Sequence, residues 1–137
     1  PVSTIGAYEC TMTVSDASVF ILTVSGPNGW TNFGDNNNHL AGFQTPLAVD
    51  LDGDYAVLCT IQMMQTVVGP ANITLGPSVP SSVDDAGPAI ADGTNVDILY
   101  TCVLDNRGAD NIVATLNGDG IVATEAHSLT DVKALFN

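Results

Sequence analysis

Alternating hydrophobic and polar positions predict β-strands along much of the chain. Residues 8–14 place Tyr8, Cys10 and Met12 on one face and Glu9 with two threonines on the other, which is typical of a half-buried strand. Residues 19–24 form a continuous β-branched and aromatic run, which predicts a more buried strand. The turn residues at 15–18 lead us to expect that these two strands pair as a hairpin.

Several shorter segments carry the same strand pattern, separated by turns rich in Gly, Pro and Asp. They are residues 47–49, 55–68, 72–75, 96–104, 112–116 and 121–124. The last two flank Asn117-Gly118-Asp119-Gly120, a hairpin sequence. About eight short strands of this kind predict an all-β fold, an antiparallel sandwich or barrel. The length of 137 residues suits a single β domain over 1–137.

Two segments without periodicity, 25–44 and 76–93, are predicted to be long loops. Long loops in compact domains are often functional. The first contains Trp30, Phe33 and Phe43, and aromatic residues in a polar loop are suited to anchoring a protein interface. The alternative is that these aromatics fold back and cap the core of their own domain.

The C-terminal residues change to helical spacing. Ser128-Leu129-Thr130-Asp131 is a capping box with Asp in the place of Glu or Gln, and Leu129, Val132, Leu135 and Phe136 follow on one helical face. We therefore predict a short helix at about 128–136. It covers one edge or end of the sheets or docks onto a neighbour, and Leu135 and Phe136 join the candidate interface residues.

The charge is strongly one-sided, at −13, with 15 acidic residues against Arg107 and Lys133. Nucleic-acid affinity comes mostly from Lys and Arg, so direct DNA or RNA binding is excluded as a function, and anionic membranes are disfavoured for the same reason. Only Glu9 and Glu125 are Glu. The preponderance of Asp favours loops between strands, because Asp prefers turns.

One constellation suggests a metal ion: Asp50, Asp52 and Asp54. Their spacing suits the first ligands of a calcium loop. An EF-hand, however, needs Gly at its sixth position and Glu at its twelfth, where this chain has Tyr55 and Ile61. Calcium is thus the one candidate cofactor, and a solvated acidic turn is the alternative.

No pattern of catalytic residues is evident. Cys10, Cys59 and Cys102 lie in apolar strand-like stretches, an odd and sparse set that is not a disulfide framework. Whether two of them form a disulfide stays open. His39 and His127 lack the neighbours that a zinc site needs, and no nucleophile elbow, P-loop or dinucleotide fingerprint occurs. We expect no enzymatic activity. No basic-plus-apolar leader is present, so we expect synthesis in the cytoplasm.

The segment Thr45-Pro46-Leu47-Ala48-Val49-Asp50 is similar to a stretch in a family of small β-rich decoration or cement proteins of tailed-phage capsids. The similarity covers six residues, and the general β-rich character of the chain accompanies it. It implies a structural virion protein on the particle surface, often a trimer, that stabilises the capsid by contacts with the major capsid protein and its own copies. The alternative is an extracellular β-sandwich binding module, a calcium-dependent adhesin or carbohydrate-binding domain, that uses the three aspartates and Trp30.

Overall fold

The computed structural model describes residues 2–49, 55–84, 87–104 and 111–118. Within these ranges the chain is all-β, with nine strands in antiparallel sheets and no helix, which confirms the predicted class. The strands are β1 (Thr4–Val14), β2 (Val19–Ser25), β3 (Thr31–Asn32), β4 (Asn38–Ala48), β5 (Thr60–Gln65), β6 (Ala71–Gly76), β7 (Ala89–Asp92), β8 (Leu99–Thr101) and β9 (Ile112–Leu116). The predicted helix at 128–136 and strand at 121–124 lie outside these ranges. No helix among the described residues has the length and apolar character needed to cross a membrane.

Strand β1 organises the larger sheet, which has seven strands. It pairs with β4 along one side, and along the other side it pairs first with β7 and then with β6. The edges are extended by β3 next to β4, β8 next to β7 and β9 next to β6. The predicted alternation in 8–14 is confirmed, since Tyr8 and Met12 are buried while Thr13 is exposed.

Strand β2 belongs to a second, two-stranded sheet with β5, and it does not form the expected hairpin with β1. Asp16 caps the turn by accepting a hydrogen bond from the Ser18 backbone N–H, and a turn of this kind does not select the strand that follows it. The prediction that β2 is the more buried strand is also wrong. Phe20 and Leu22 are about half exposed, because no described strand covers the outer face of a two-stranded sheet.

The predicted loop at 25–44 contains two strands, β3 and the first part of β4. In β4 every second residue, His39, Ala41 and Phe43, points to the core. The surrounding asparagines and glycines make this alternation hard to recognise in the sequence. The predicted loop at 76–93 ends in strand β7. Where strands were predicted at 55–68 and 96–104, the structure has only the shorter strands β5 and β8. The predicted strand at 112–116 is confirmed as β9.

The buried core is small. Its central cluster consists of Ile5, Tyr8, Ala41 and Phe43 on the inner face of the larger sheet. Eight hydrophobic residues are buried among the described ones, and four of these are alanines. Residues such as Trp30 and Leu58 pack around the cluster and are partly buried. Since burial of large apolar side chains drives folding, this core offers little stabilisation relative to the length of the chain.

Candidate functional site

A hydrogen-bonded aromatic cluster lies on the inner face of β1 and β4. The Trp30 indole Nε1–H donates to the Tyr8 hydroxyl oxygen at 3.1 Å, and that hydroxyl lies 3.2 Å from His39 Nδ1. His39 Nε2 lies 3.1 Å from the Asn36 carbonyl oxygen. The Asn36 carbonyl oxygen can only accept, so the ring proton of His39 lies on Nε2. Nδ1 is then an acceptor, and the Tyr8 O–H donates to it while the Tyr8 oxygen accepts from Trp30.

This cluster is structural in character. His39 is only 1% exposed, and its ring packs edge-on against Tyr8 and Trp30. Burial, together with the neighbouring Cys59 thiol, raises the pKa of Tyr8 well above its usual range. Each polar atom of the cluster has a partner, which is the arrangement that makes buried polar groups tolerable in a core.

All three cysteines line one cavity of about 390 Å³, which we call the inner cavity. Its walls include Cys10 and Met12 from β1, Leu75 from β6, Ile61 from β5, and Cys59 and Cys102 from the flanking segments. The three thiols are free. Burial raises the pKa of Cys10 to about 11 and also raises that of Cys102. Both thiols therefore stay protonated at neutral pH, a state in which cysteine is a poor nucleophile.

Three of the described carboxylates, those of Asp16, Asp35 and Asp92, accept hydrogen bonds within their own turns. Asp35 accepts hydrogen bonds from the backbone N–H groups of Asn37 and Asn38 at 2.7 and 2.8 Å, which lower its pKa. Asp16 and Asp92 are held in the same manner, and their pKa values are also lowered. No group of three or more His, Cys, Asp or Glu within the described ranges is placed to hold a metal ion. The calcium candidates Asp50, Asp52 and Asp54 lie outside those ranges.

The outer face of the larger sheet forms a shallow depression of about 300 Å³, which we call the outer trough. The strand register aligns one row of outward residues across five strands: Thr31, Gly42, Ala7, Ala91 and Leu99. A second row contains Leu40, Glu9 and Ala89. Four of these strands, β4, β1, β7 and β8, contribute residues to the lining of the trough, and four strands at a spacing of about 4.8 Å span about 14 Å. Alanine and glycine from these two rows form its floor, and two of the alanines, Ala89 and Ala91, are buried at 2% and 7% exposure.

The rims of the outer trough are large and apolar. Phe33 stands at one end with 80% of its surface exposed, and Leu99 on the edge strand β8 stands at the other. The Glu9 carboxylate is fixed by the Ser82 backbone N–H at 2.8 Å and the Ser82 hydroxyl at 2.7 Å. Beyond Leu99, Tyr100 is exposed on the edge strand, and Val103 is exposed after the strand ends.

The structure separates the aromatics that the sequence grouped as interface candidates. Phe43 is buried in the core at 9% exposure, and Trp30 packs against it. These two side chains lie in or against the core of their own domain, and their role at an interface stays a prediction. Phe33 is exposed on a rim and stays a prediction as an interface residue, while Leu135 and Phe136 lie outside the described ranges. The floor of the trough is not recognisable in the sequence, because single small residues on different strands give no signal until their register is known.

The charge distribution is also uneven. The two cationic side chains, Arg107 and Lys133, both fall outside the described ranges. Within these ranges every formally charged side chain is a carboxylate, and the outer trough is lined by a single one, that of Glu9. The trough is thus a nearly neutral apolar surface on a strongly acidic chain.

Comparison with known proteins does not identify a family for this chain. No protein-family model, no curated protein sequence and no solved structure matches the chain.

Proposed function

We propose that this protein is a non-enzymatic assembly subunit that binds other protein subunits through the outer trough. The observation that carries the proposal is the trough itself, an apolar surface with a floor of alanine and glycine and an exposed Phe33 at its rim. Protein interfaces place aromatic anchors in apolar surroundings of this kind. The partly buried thiols and the buried Tyr8–His39 pair, by contrast, lack the features of an activated nucleophile.

The balance of buried and exposed apolar residues supports the same function. Among the described residues, 15 large hydrophobic side chains are exposed against the eight buried hydrophobics, half of them alanine. Large apolar patches are rare on soluble monomers and mark surfaces that bind something. Few buried and many exposed apolar residues are expected in a chain whose hydrophobic core is completed by contacts with neighbouring subunits. The stability of such a chain depends on association.

The specific assembly that we propose is a viral capsid, with this chain as a decoration or cement subunit at the virion surface. Its similarity to tailed-phage decoration proteins at residues 45–50 supports this choice. Its partners would be the major capsid protein and its own copies, as a homo-oligomer such as a trimer. In this proposal each subunit is an antiparallel sandwich or barrel with a short C-terminal helix, as the sequence predicts.

Charge gives the proposal a test in solution. Copies of a chain with net charge −13 repel one another, and salt screens this repulsion over a distance that falls to about 3 Å at 1 M. Self-association should therefore strengthen with salt. Binding to a basic patch on a shell protein should weaken with salt, because it depends on attraction between opposite charges.

The experiment is to measure the mass of the full chain by light scattering between about 0.05 and about 1 M NaCl, and its binding to assembled capsid shells by co-sedimentation over the same range. We expect an oligomer whose fraction rises with salt, shell binding that declines with salt, or both. A monomer at every salt concentration that also fails to bind shells would contradict the proposed function.

A further inference from the structure

The three cysteines of the inner cavity come from distant parts of the chain that the fold brings together. Cys10 lies on β1, Cys59 directly precedes β5, and Cys102 directly follows β8. All three are partly buried, and their thiols are free. Two cysteines whose Cα atoms are more than about 7 Å apart cannot be joined without moving the backbone. The strand pairing therefore decides which pairs of thiols can form a disulfide.

The register of the larger sheet separates Cys10 from Cys102. Glu9 pairs with Ala89 on β7. Cys10, the next residue of β1, is therefore level with Pro88. The Cys102 backbone N–H donates to the Pro88 carbonyl oxygen at 2.7 Å, which places Cys102 level with Pro88 on the opposite side. Cys10 and Cys102 are thus two strand spacings apart, about 10 Å, and this distance is too long for a disulfide.

Cys59, by contrast, lies over the inner face of the larger sheet. Cys59 and Cys10 both pack against the central core cluster. The Cys59 thiol also neighbours the Tyr8 hydroxyl and forms a side-chain contact with it. Tyr8 and Cys10 are alternate residues of β1, so they lie on the same face of that strand, about 7 Å apart along it. Cys59 is therefore positioned above the stretch of β1 that carries Cys10.

The electrostatic interactions among the thiols identify the same pair. Burial is the largest cause of the raised pKa of Cys10, and among the neighbouring thiols that of Cys59 contributes more than that of Cys102. The interaction between two charges weakens as their separation grows. Cys59 is consequently the nearer partner, in agreement with the strand register.

We propose that Cys10 and Cys59 are a redox pair that forms an intramolecular disulfide when the protein meets a small-molecule disulfide, RSSR. One cysteine thiolate attacks RSSR, so that a mixed disulfide forms and one RS⁻ leaves. The other cysteine thiolate attacks the protein sulfur of the mixed disulfide and displaces the second RS⁻. The protein loses two protons and two electrons, and RSSR is reduced to two RSH.

This disulfide fastens the two sheets to each other. Cys10 belongs to the larger sheet, and Cys59 is joined directly to β5 of the smaller one. The bond closes a loop of about 50 residues, and a crosslink of this kind stabilises a fold by restricting the unfolded chain. The gain is valuable in this protein because half of its buried hydrophobic residues are alanines.

The first test maps the disulfide in the native full chain. The reduced protein is treated at about pH 8, where free thiols are partly ionised, with bis(2-hydroxyethyl) disulfide, a neutral reagent that the acidic surface does not repel. Remaining thiols are blocked with N-ethylmaleimide, and peptic peptides are analysed by mass spectrometry without reduction. We expect Cys10 crosslinked to Cys59 within one chain. A main product that links Cys102 to either cysteine, links between chains, or mixed disulfides alone would overturn the proposal.

The second test measures the effect of the disulfide on thermal unfolding. The oxidised native protein should melt about 5 °C or more above the reduced protein. Cys102→Ala is the matched control, because it keeps both members of the pair, and it should show the same rise. Cys59→Ala should show no rise under the same treatment. An unchanged melting temperature in the oxidised native protein, a full rise in Cys59→Ala or the loss of the rise in Cys102→Ala would contradict the proposed pair.

Discussion

The two faces of the larger sheet are built from alternate residues of the same strands, yet they differ in kind. On the inner face, Tyr8 and His39 form a buried, fully paired aromatic cluster with Trp30. On the outer face, the partly buried Ala7 and Gly42 belong to the floor of the outer trough. Both faces are apolar, so both need a cover. Residues 56–61 of the same chain cover part of the inner face, whereas the outer trough has no such cover among the described residues, and we propose that another subunit covers it.

Two phenylalanines provide the strongest contrast between the faces. Phe43→Ala should destabilise the fold by about 3–5 kcal/mol, because it removes a buried ring and leaves a cavity. Phe33→Ala should change the stability of the dissociated chain by about 0.5 kcal/mol or less, since its ring is exposed. Urea unfolding in dilute protein at low salt measures both changes. Equal losses of stability would show that Phe33 is packed within its own chain.

The hydroxyl of Tyr8 tests whether the inner cluster behaves as a unit. Tyr8→Phe leaves the Trp30 N–H and His39 Nδ1 without their partner, at a cost of about 1–3 kcal/mol for a buried unpaired group. Tyr100→Phe is the matched control, because Tyr100 is 41% exposed on β8, and its effect should be about 0.5 kcal/mol or less. Thermal unfolding compares the two variants. A Tyr8→Phe variant with the same thermal stability as the native protein would show that the cluster stabilises the fold by packing alone.

Alkaline pH should act mainly on the inner face. Burial raises the pKa of Cys10 from 9.0 to about 11, so the folded chain keeps a proton that the unfolded chain has lost. This contribution to stability is complete below about pH 9 and disappears as the pH rises toward about 11. A Cys10→Ala variant should therefore lose less stability over that interval than the native chain. Parallel stability curves for the two proteins would show that Cys10 is solvated.

Local patterns in the sequence identified some elements and could not identify others. Residues 8–14 of β1 alternate, and β9 directly precedes a hairpin sequence, so the positions of these strands were predictable. Strand β4 was predicted to be a loop because asparagine and glycine surround the inward residues His39, Ala41 and Phe43. The partner of β2 was missed because a four-residue turn does not determine whether the next strand pairs with its predecessor or with a distant strand.

The candidate surface was predictable only in part. Phe33 was recognisable as a loop aromatic, but the sequence could not distinguish it from Phe43, which is buried, because that distinction depends on the register of β4 against β1. The trough floor depends on the same register, since it is formed by residues far apart in the chain. The convergence of three separate cysteines on one cavity is likewise a consequence of long-range pairing.

The central claim is that the outer trough is covered by another protein subunit. The most direct test is the mass of the full chain at about 1 M NaCl, measured by light scattering for the native protein, Phe33→Asp and Val68→Asp. Both variants add one negative charge at an exposed apolar position, and only Phe33 lines the trough. We predict an oligomer for the native chain and Val68→Asp, and a monomer for Phe33→Asp. Oligomers of equal mass for all three proteins would contradict the claim.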